Sequence, residues 1–264
     1  MVINLDNRSL IKVSGKDAGN FLQSQFTNDI NRLSFDELQI TAYCQHQGKV
    51  IAILWIFQRN NSFYLSIPKD ITEIVIQKLK IFKLLSDVEI VDFSSNLKQY
   101  GIIGENFDNS LRFKNNLSLL TTRKSLDNLS DIGYWEEACI KNLIPEVNHI
   151  NSEKFIPQSL NLDINEFGVS FSKGCYPGQE VVARMHYLGK PKRRLASFTT
   201  VSEVKIGDTL TSEKSNSLKA SGEVIRAINI GQYFLVLASI EIKYLNDQIF
   251  INNNKNQKLN LINE

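Results

Sequence analysis

Cysteine, histidine and tryptophan are scarce in this chain of 264 residues, at three, three and two copies. Cys44, Cys139 and Cys175 are too few and too far apart for a disulfide scaffold, and an odd thiol count fits a reducing compartment. His46, His149 and His186 are equally scattered. There is no CxxC, no HExxH and no close His/Asp set, so no permanent metal site is expected. An excess of one charge is also missing. Thirty lysines and arginines face 28 acids, for a formal net charge of +2, so a nucleic-acid partner would have to be met by a local patch. The most apolar run, residues 50–57, falls far short of the roughly 20 residues that cross a bilayer. Met1-Val2-Ile3-Asn4-Leu5-Asp6 lacks the basic start and apolar stretch of a signal peptide, so a cytoplasmic protein is expected.

Hydrophobic residues make up 42% and charged residues 22%, ordinary values for a globular chain with room for more than one domain. Periodicity predicts strands over 9–13, 38–44, 49–57, 62–67, 88–93 and 99–104, with shorter ones at 111–113 and 117–120. It predicts helices over 17–26, 70–85 and 132–142, the second carried by Ile71, Ile74, Val75, Leu79, Phe82 and Leu85. The run 50–57 lacks alternation and reads as a central strand covered on both faces. Residues 143–168, with Pro145 and Pro157, read as a long ordered loop of the kind that often carries function. Short strands at 195–201, 209–211, 221–228, 233–240 and 248–251 suggest a small antiparallel barrel or sandwich. The Asn/Lys-rich residues 252–264 are expected to fray.

One stretch mixes chemistries that neither a core strand nor a surface helix requires: Phe171-Ser172-Lys173-Gly174-Cys175-Tyr176-Pro177-Gly178-Gln179-Glu180. Gly174 and Gly178 permit a tight turn, and Pro177 biases Tyr176 away from helix. Cys175 then sits on a shaped loop entering Val181-Val182-Ala183-Arg184. If those residues open a helix, its positive end together with Lys173 and Arg184 favours a thiolate. The residues alone leave two readings, a buried structural thiol or a presented nucleophile. Trp135 is open in the same way, as a core residue or as a stacking face for a flat ligand. Between Lys173 and Arg194, six lysines and arginines face the single acid Glu180, a local field suited to phosphate, polyglutamate or RNA, or simply a solvated basic hinge.

Lys173-Gly174-Cys175-Tyr176-Pro177-Gly178-Gln179-Glu180 resembles the KGCYxGQE signature of the YgfZ-type folate-binding proteins, relatives of the glycine-cleavage T-protein, an aminomethyltransferase. The likeness extends to Phe155-Ile156-Pro157-Gln158, Asn161-Leu162, Val181 to Arg184 and Lys192-Arg193-Arg194. Near the start it takes in Phe21 to Gln25, Thr27, Asp29 and Gly48-Lys49-Val50. The resemblance implies an α+β, aminomethyltransferase-like fold around a channel that can hold tetrahydrofolate or a derivative. Its domains would be a folate-binding domain over 1–42 and 129–190, a ferredoxin-like middle domain over 43–128, and a C-terminal antiparallel β-barrel over 191–264.

The resemblance further implies a role in the assembly, repair or maintenance of iron-sulfur clusters, indirectly supporting tRNA methylthiolation. Partners would be iron-sulfur client enzymes or cluster carriers, including tRNA methylthiolating enzymes, with no call for direct nucleic-acid binding or a membrane. Cys175 would be the functional thiol. Trp135, Lys173, Tyr176, Gly178, Gln179, Glu180 and Arg184 would shape the loop or meet the folate. Two places depart from the family pattern: Arg8 stands where a second tryptophan is expected, and Lys141-Asn142-Leu143 replaces Glu-Ala-Gly. One thiol cannot complete an all-cysteine cluster shell, so any cluster contact would be transient. The alternatives are a folate-dependent one-carbon transferase, supported by the T-protein likeness, and an RNA-binding module centred on Lys190 to Arg194.

Overall fold

The computed structural model describes residues 1–34, 37–84, 86–104, 107–215 and 219–262. The chain begins with β1 (Val2–Asn4), β2 (Arg8–Ser14), α1 (Ala18–Gln25), β3 (Gln39–Cys44), β4 (Val50–Arg59) and β5 (Ser62–Pro68). It continues through α2 (Thr72–Phe82), β6 (Glu89–Asp92), β7 (Lys98–Ile103), β8 (Leu111–Lys114), β9 (Leu117–Thr122), α3 (Ile132–Lys141) and α4 (Gln179–Leu188). The last six strands are β10 (Arg193–Thr200), β11 (Thr209–Ser212), β12 (Gly222–Asn229), β13 (Phe234–Glu241), β14 (Ile249–Ile251) and β15 (Asn254–Leu261).

Strands β3-β4-β5-β2-β6 form one antiparallel sheet. Its order β4-β5-β2-β6, with α1 and α2 as the two crossovers, is the ferredoxin-like arrangement, with β3 added at the edge. The boundary drawn at 42/43 therefore falls inside β3, and the ferredoxin-like unit starts at Arg8. Sequence order hid this because β1, β7, β9 and β8 form a separate four-stranded sheet, so the chain leaves that sheet at Asn4 and returns at Lys98.

Every residue from Val50 to Phe57 is buried, as the unbroken apolar run predicts. One face of the five-stranded sheet packs on Phe21 and Leu22 of α1 and on Val75, Ile76 and Leu79 of α2. Each such side chain, fully buried, is worth about 2 kcal/mol. The other face meets the four-stranded sheet, α3 and the barrel through Ile53, Trp55, Leu119, Trp135 and Leu237. On α2 the buried positions are Thr72, Val75, Ile76 and Leu79, whereas Ile74 and Phe82 are exposed. Leu85 lies outside the described residues.

The barrel closes in the order β10-β13-β12-β11-β14-β15, with β15 paired to β10. The segment expected to fray is thus a barrel strand. Backbone pairing to β14 and β10 holds it, while most of its side chains remain solvated and so gave no apolar signal. No helix among the described residues is long and apolar enough to cross a membrane.

Candidate functional site

Three distant parts of the chain converge on the cysteine loop. The Lys173 ammonium is buried and donates to the carbonyls of Gln23 (2.6 Å), Phe26 (2.5 Å) and Asn28 (3.0 Å). The Ser170 amide donates to the Thr27 carbonyl, and the Thr27 hydroxyl to the Gly168 carbonyl at 2.6 Å. On the other side, Gly178 (φ +83°) sits against the β3–β4 turn, where a β-carbon would lie 2.5 Å from the Gln45 carbonyl oxygen and 2.7 Å from Gly48 Cα. Only glycine satisfies both that backbone angle and that approach. Gln158 donates to the Val182 carbonyl of α4 at 2.8 Å, and the Val50 amide donates to the Phe155 carbonyl at 2.8 Å.

Tyr176 is buried beneath the loop, with the Lys173 ammonium 5.3 Å from its ring centre, and burial raises its phenol, with a smaller contribution from Cys44. Burial also pushes the Lys173 ammonium down to about 8, with Asp29 acting in the opposite direction. Each of its three N–H groups has an acceptor, so Lys173 staples the loop and has no donor left for a ligand. Thr27 and Asn28 are likewise committed inside the fold.

Cys175 and Gly174 emerge exposed from this frame. Gln179 opens α4, and Glu180 and Arg184 lie exposed along it. Cys44 and Cys139 are buried; burial raises the Cys139 thiol to about 12 and the Cys44 thiol further. A disulfide reagent is therefore expected to titrate one thiol in the folded chain and three after unfolding, and none in folded Cys175→Ser. A second fast thiol in the folded wild type would contradict this placement.

The basic stretch after α4 is less available than its composition suggests. Arg194 is ion-paired with Asp163 and donates to the Gln158 carbonyl at 2.8 Å, and Arg193 donates to the Ala220 carbonyl at 2.5 Å. With Lys173 also committed, three of the six cations hold the fold, which weakens the RNA-module reading.

A cleft of about 550 Å³ opens where the ferredoxin-like unit, α3 and the barrel meet. Pro68, Ile132, Ile206 and Ile225 give it apolar walls, and Glu136, Glu146 and Arg226 give it a charged floor. Arg8 is bonded to Glu146 and to Ser66 (Nε to Oγ, 2.8 Å) and lies 3.5 Å over the Trp55 ring. Arg226 pairs with Glu136 and donates from Nε to the Ile144 carbonyl at 3.0 Å. Its Nη2 lies 3.3 Å from Glu146 but, among the described residues, is buried with no aligned acceptor. Burial alone would raise the Glu146 carboxyl; Arg226 and Arg8 outweigh it and hold the group below the ordinary range.

Trp135 belongs to the core. It is 1% exposed, lies edge-on to Trp55 at 6.0 Å, and covers Gly101 so closely that a β-carbon there would lie 2.4 Å from its Cε3. It has no open face for stacking, and Cys175 is not part of the cleft lining. The floor residues Glu136, Glu146 and Arg226 were not singled out from sequence. The available signal was an arginine inside the apolar strand Val224-Ile225-Arg226-Ala227, since a charge at such a position must be paired.

No protein-family profile matches the chain. A protein of Haemophilus influenzae is 34% identical over 241 residues, covering 86% of this chain and 84% of its own length. The tRNA-modifying protein YgfZ of Buchnera aphidicola subsp. Schizaphis graminum is 28% identical over 282 residues, with 92% and 88% covered. That of Vibrio atlanticus is 28% identical over 265 residues, with 88% and 80% covered. Among solved structures, the glycine cleavage system aminomethyltransferase T from Bartonella henselae superposes with a TM-score of 0.63 at 11% identity, covering 100% of this chain and 84% of that one. This likeness is one of fold: an aminomethyltransferase-like α+β architecture ending in a closed barrel.

Proposed function

The chain belongs to the YgfZ family, and on that premise we propose that it is a folate-binding accessory factor for the assembly, repair or maintenance of iron-sulfur clusters, indirectly supporting tRNA methylthiolation. The observation that carries the proposal is the exposed Cys175, presented by a loop stapled to two other family-like segments. So many specific contacts around an exposed residue serve presentation better than core stability. The relatives' shared name supports the link to tRNA modification.

The cleft supports a folate. Its apolar walls suit a pterin ring, and the Glu136 and Glu146 carboxylates, each already held by a guanidinium, would accept further hydrogen bonds from the ring's amino edge. Bound there, a reduced folate would supply a one-carbon or redox-active group, and this chain's residues would orient its ring. A cluster or sulfur species carried by a partner would be cargo, in transient contact with Cys175.

Cells in which Cys175→Ser replaces the wild type are expected to show a severalfold lower cluster content in tRNA methylthiolating enzymes, with the variant itself folded and equally abundant. Unchanged cluster content in those cells would reject the role. The aminomethyltransferase likeness alone does not favour a transferase, because at 11% identity it reaches only the fold.

A further inference from the structure

A second hollow adjoins the cleft. This groove of about 320 Å³ runs between the β1–β2 turn and the start of β7, and Asp6 and Lys69 line both hollows. The bonded pair Arg8 and Glu146 forms part of the partition, with Arg8 on the groove side and Glu146 on the cleft side. The two hollows are therefore neighbours across Asp6 and Lys69.

The groove's chemistry differs from that of the cleft. Lys69 and Lys98 are both exposed. The Lys69 ammonium has no partner among the described residues, and Lys98 donates only to the Ser125 hydroxyl at 2.6 Å, leaving further N–H groups on each. Asp6 is the single acidic residue in the lining among the described residues. Gln99 lies 95% buried along the groove, and its Oε1 is an acceptor with no hydrogen-bond partner among the described residues. A ligand suited to this lining carries repeated carboxylates for the lysines and an amide N–H for Gln99.

We infer that this groove receives the γ-linked polyglutamate tail of a folate whose ring lies in the cleft. Each γ-glutamyl unit offers one carboxylate and one amide N–H, the two groups the lining calls for. The inference rests on the folate reading of the cleft. It replaces Lys173, Arg184 and the basic hinge as tail contacts: Lys173 is used up inside the fold, and none of these residues lines either hollow.

The test is equilibrium binding of 5-formyltetrahydrofolate, as monoglutamate and as pentaglutamate, to the full chain at low salt. The pentaglutamate is expected to bind about tenfold more tightly, with the gap closing as salt is raised. In the double variant Lys69→Gln/Lys98→Gln the two forms should agree within about twofold. The thermal midpoint should not move, because both side chains are exposed. Equal wild-type affinity for the two forms overturns the tail groove while the folate reading stands. A gap that persists in the double variant overturns its assignment to these lysines. If neither form binds, the folate reading fails and the groove assignment fails with it.

Discussion

Glu146→Ala is expected to destabilise the fold by about 3–5 kcal/mol, read as a lower urea midpoint at unchanged slope. Glu146 is shared by two guanidiniums, Arg8 and Arg226, both almost fully buried. Removing it strands Arg8, whose remaining side-chain partners are the Ser66 hydroxyl and carbonyl and the Trp55 face. Replacing Arg8 and Glu146 together by leucine should cost less than Glu146→Ala alone, because no buried charge is then left unpaired. The pH dependence follows from the same arrangement. A carboxyl held lower in the folded than in the unfolded chain contributes stability that is complete above the unfolded value and lost as pH falls through the folded one. The gap between wild type and Glu146→Ala should therefore narrow below about pH 4. A single variant within about 1 kcal/mol of wild type at neutral pH would show that the pair contributes little.

Lys173→Met is expected to cost about 3 kcal/mol and to loosen the loop that carries Cys175. Three carbonyls, from Gln23, Phe26 and Asn28, lose their shared donor, and methionine fills the space without replacing any bond. Hydrogen exchange should report the loosening at residues 170–178 and 23–28 while the barrel stays protected. Exchange unchanged in both segments, with stability intact, would show that the ammonium is not the staple. The result bears on function because this variant leaves Cys175 present but poorly held. Client cluster content should then fall even though the thiol remains.

Much of this was legible in the chain itself. The apolar run 50–57 announced a strand buried on both faces, because eight residues with no polar alternation leave no side for water. The periodicity over 17–26 announced α1, and the mixed residues around Cys175 marked the loop. What local pattern misled was any segment whose fate depends on distant pairing. β15 looked like a frayed tail because a barrel's outer face is solvated, and β1 is three residues long. Trp135 was open to a core or a stacking reading, and it is sealed over Gly101, a residue 34 positions away in sequence.

By itself the sequence determined the types of element, the α+β class and the identity of the one distinctive thiol loop, since these rest on spacing and side-chain chemistry between near neighbours. Only the tertiary structure decided which charges are free. Lys173, Arg193 and Arg194 read as an open basic field until carbonyls and carboxylates from far along the chain are seen to hold them. Arg8, Glu136, Glu146 and Arg226 are separated by as many as 218 positions, and they become one buried network because three layers close over them. A charge's availability is set by what surrounds it in space, and a linear pattern of residues carries almost none of that information.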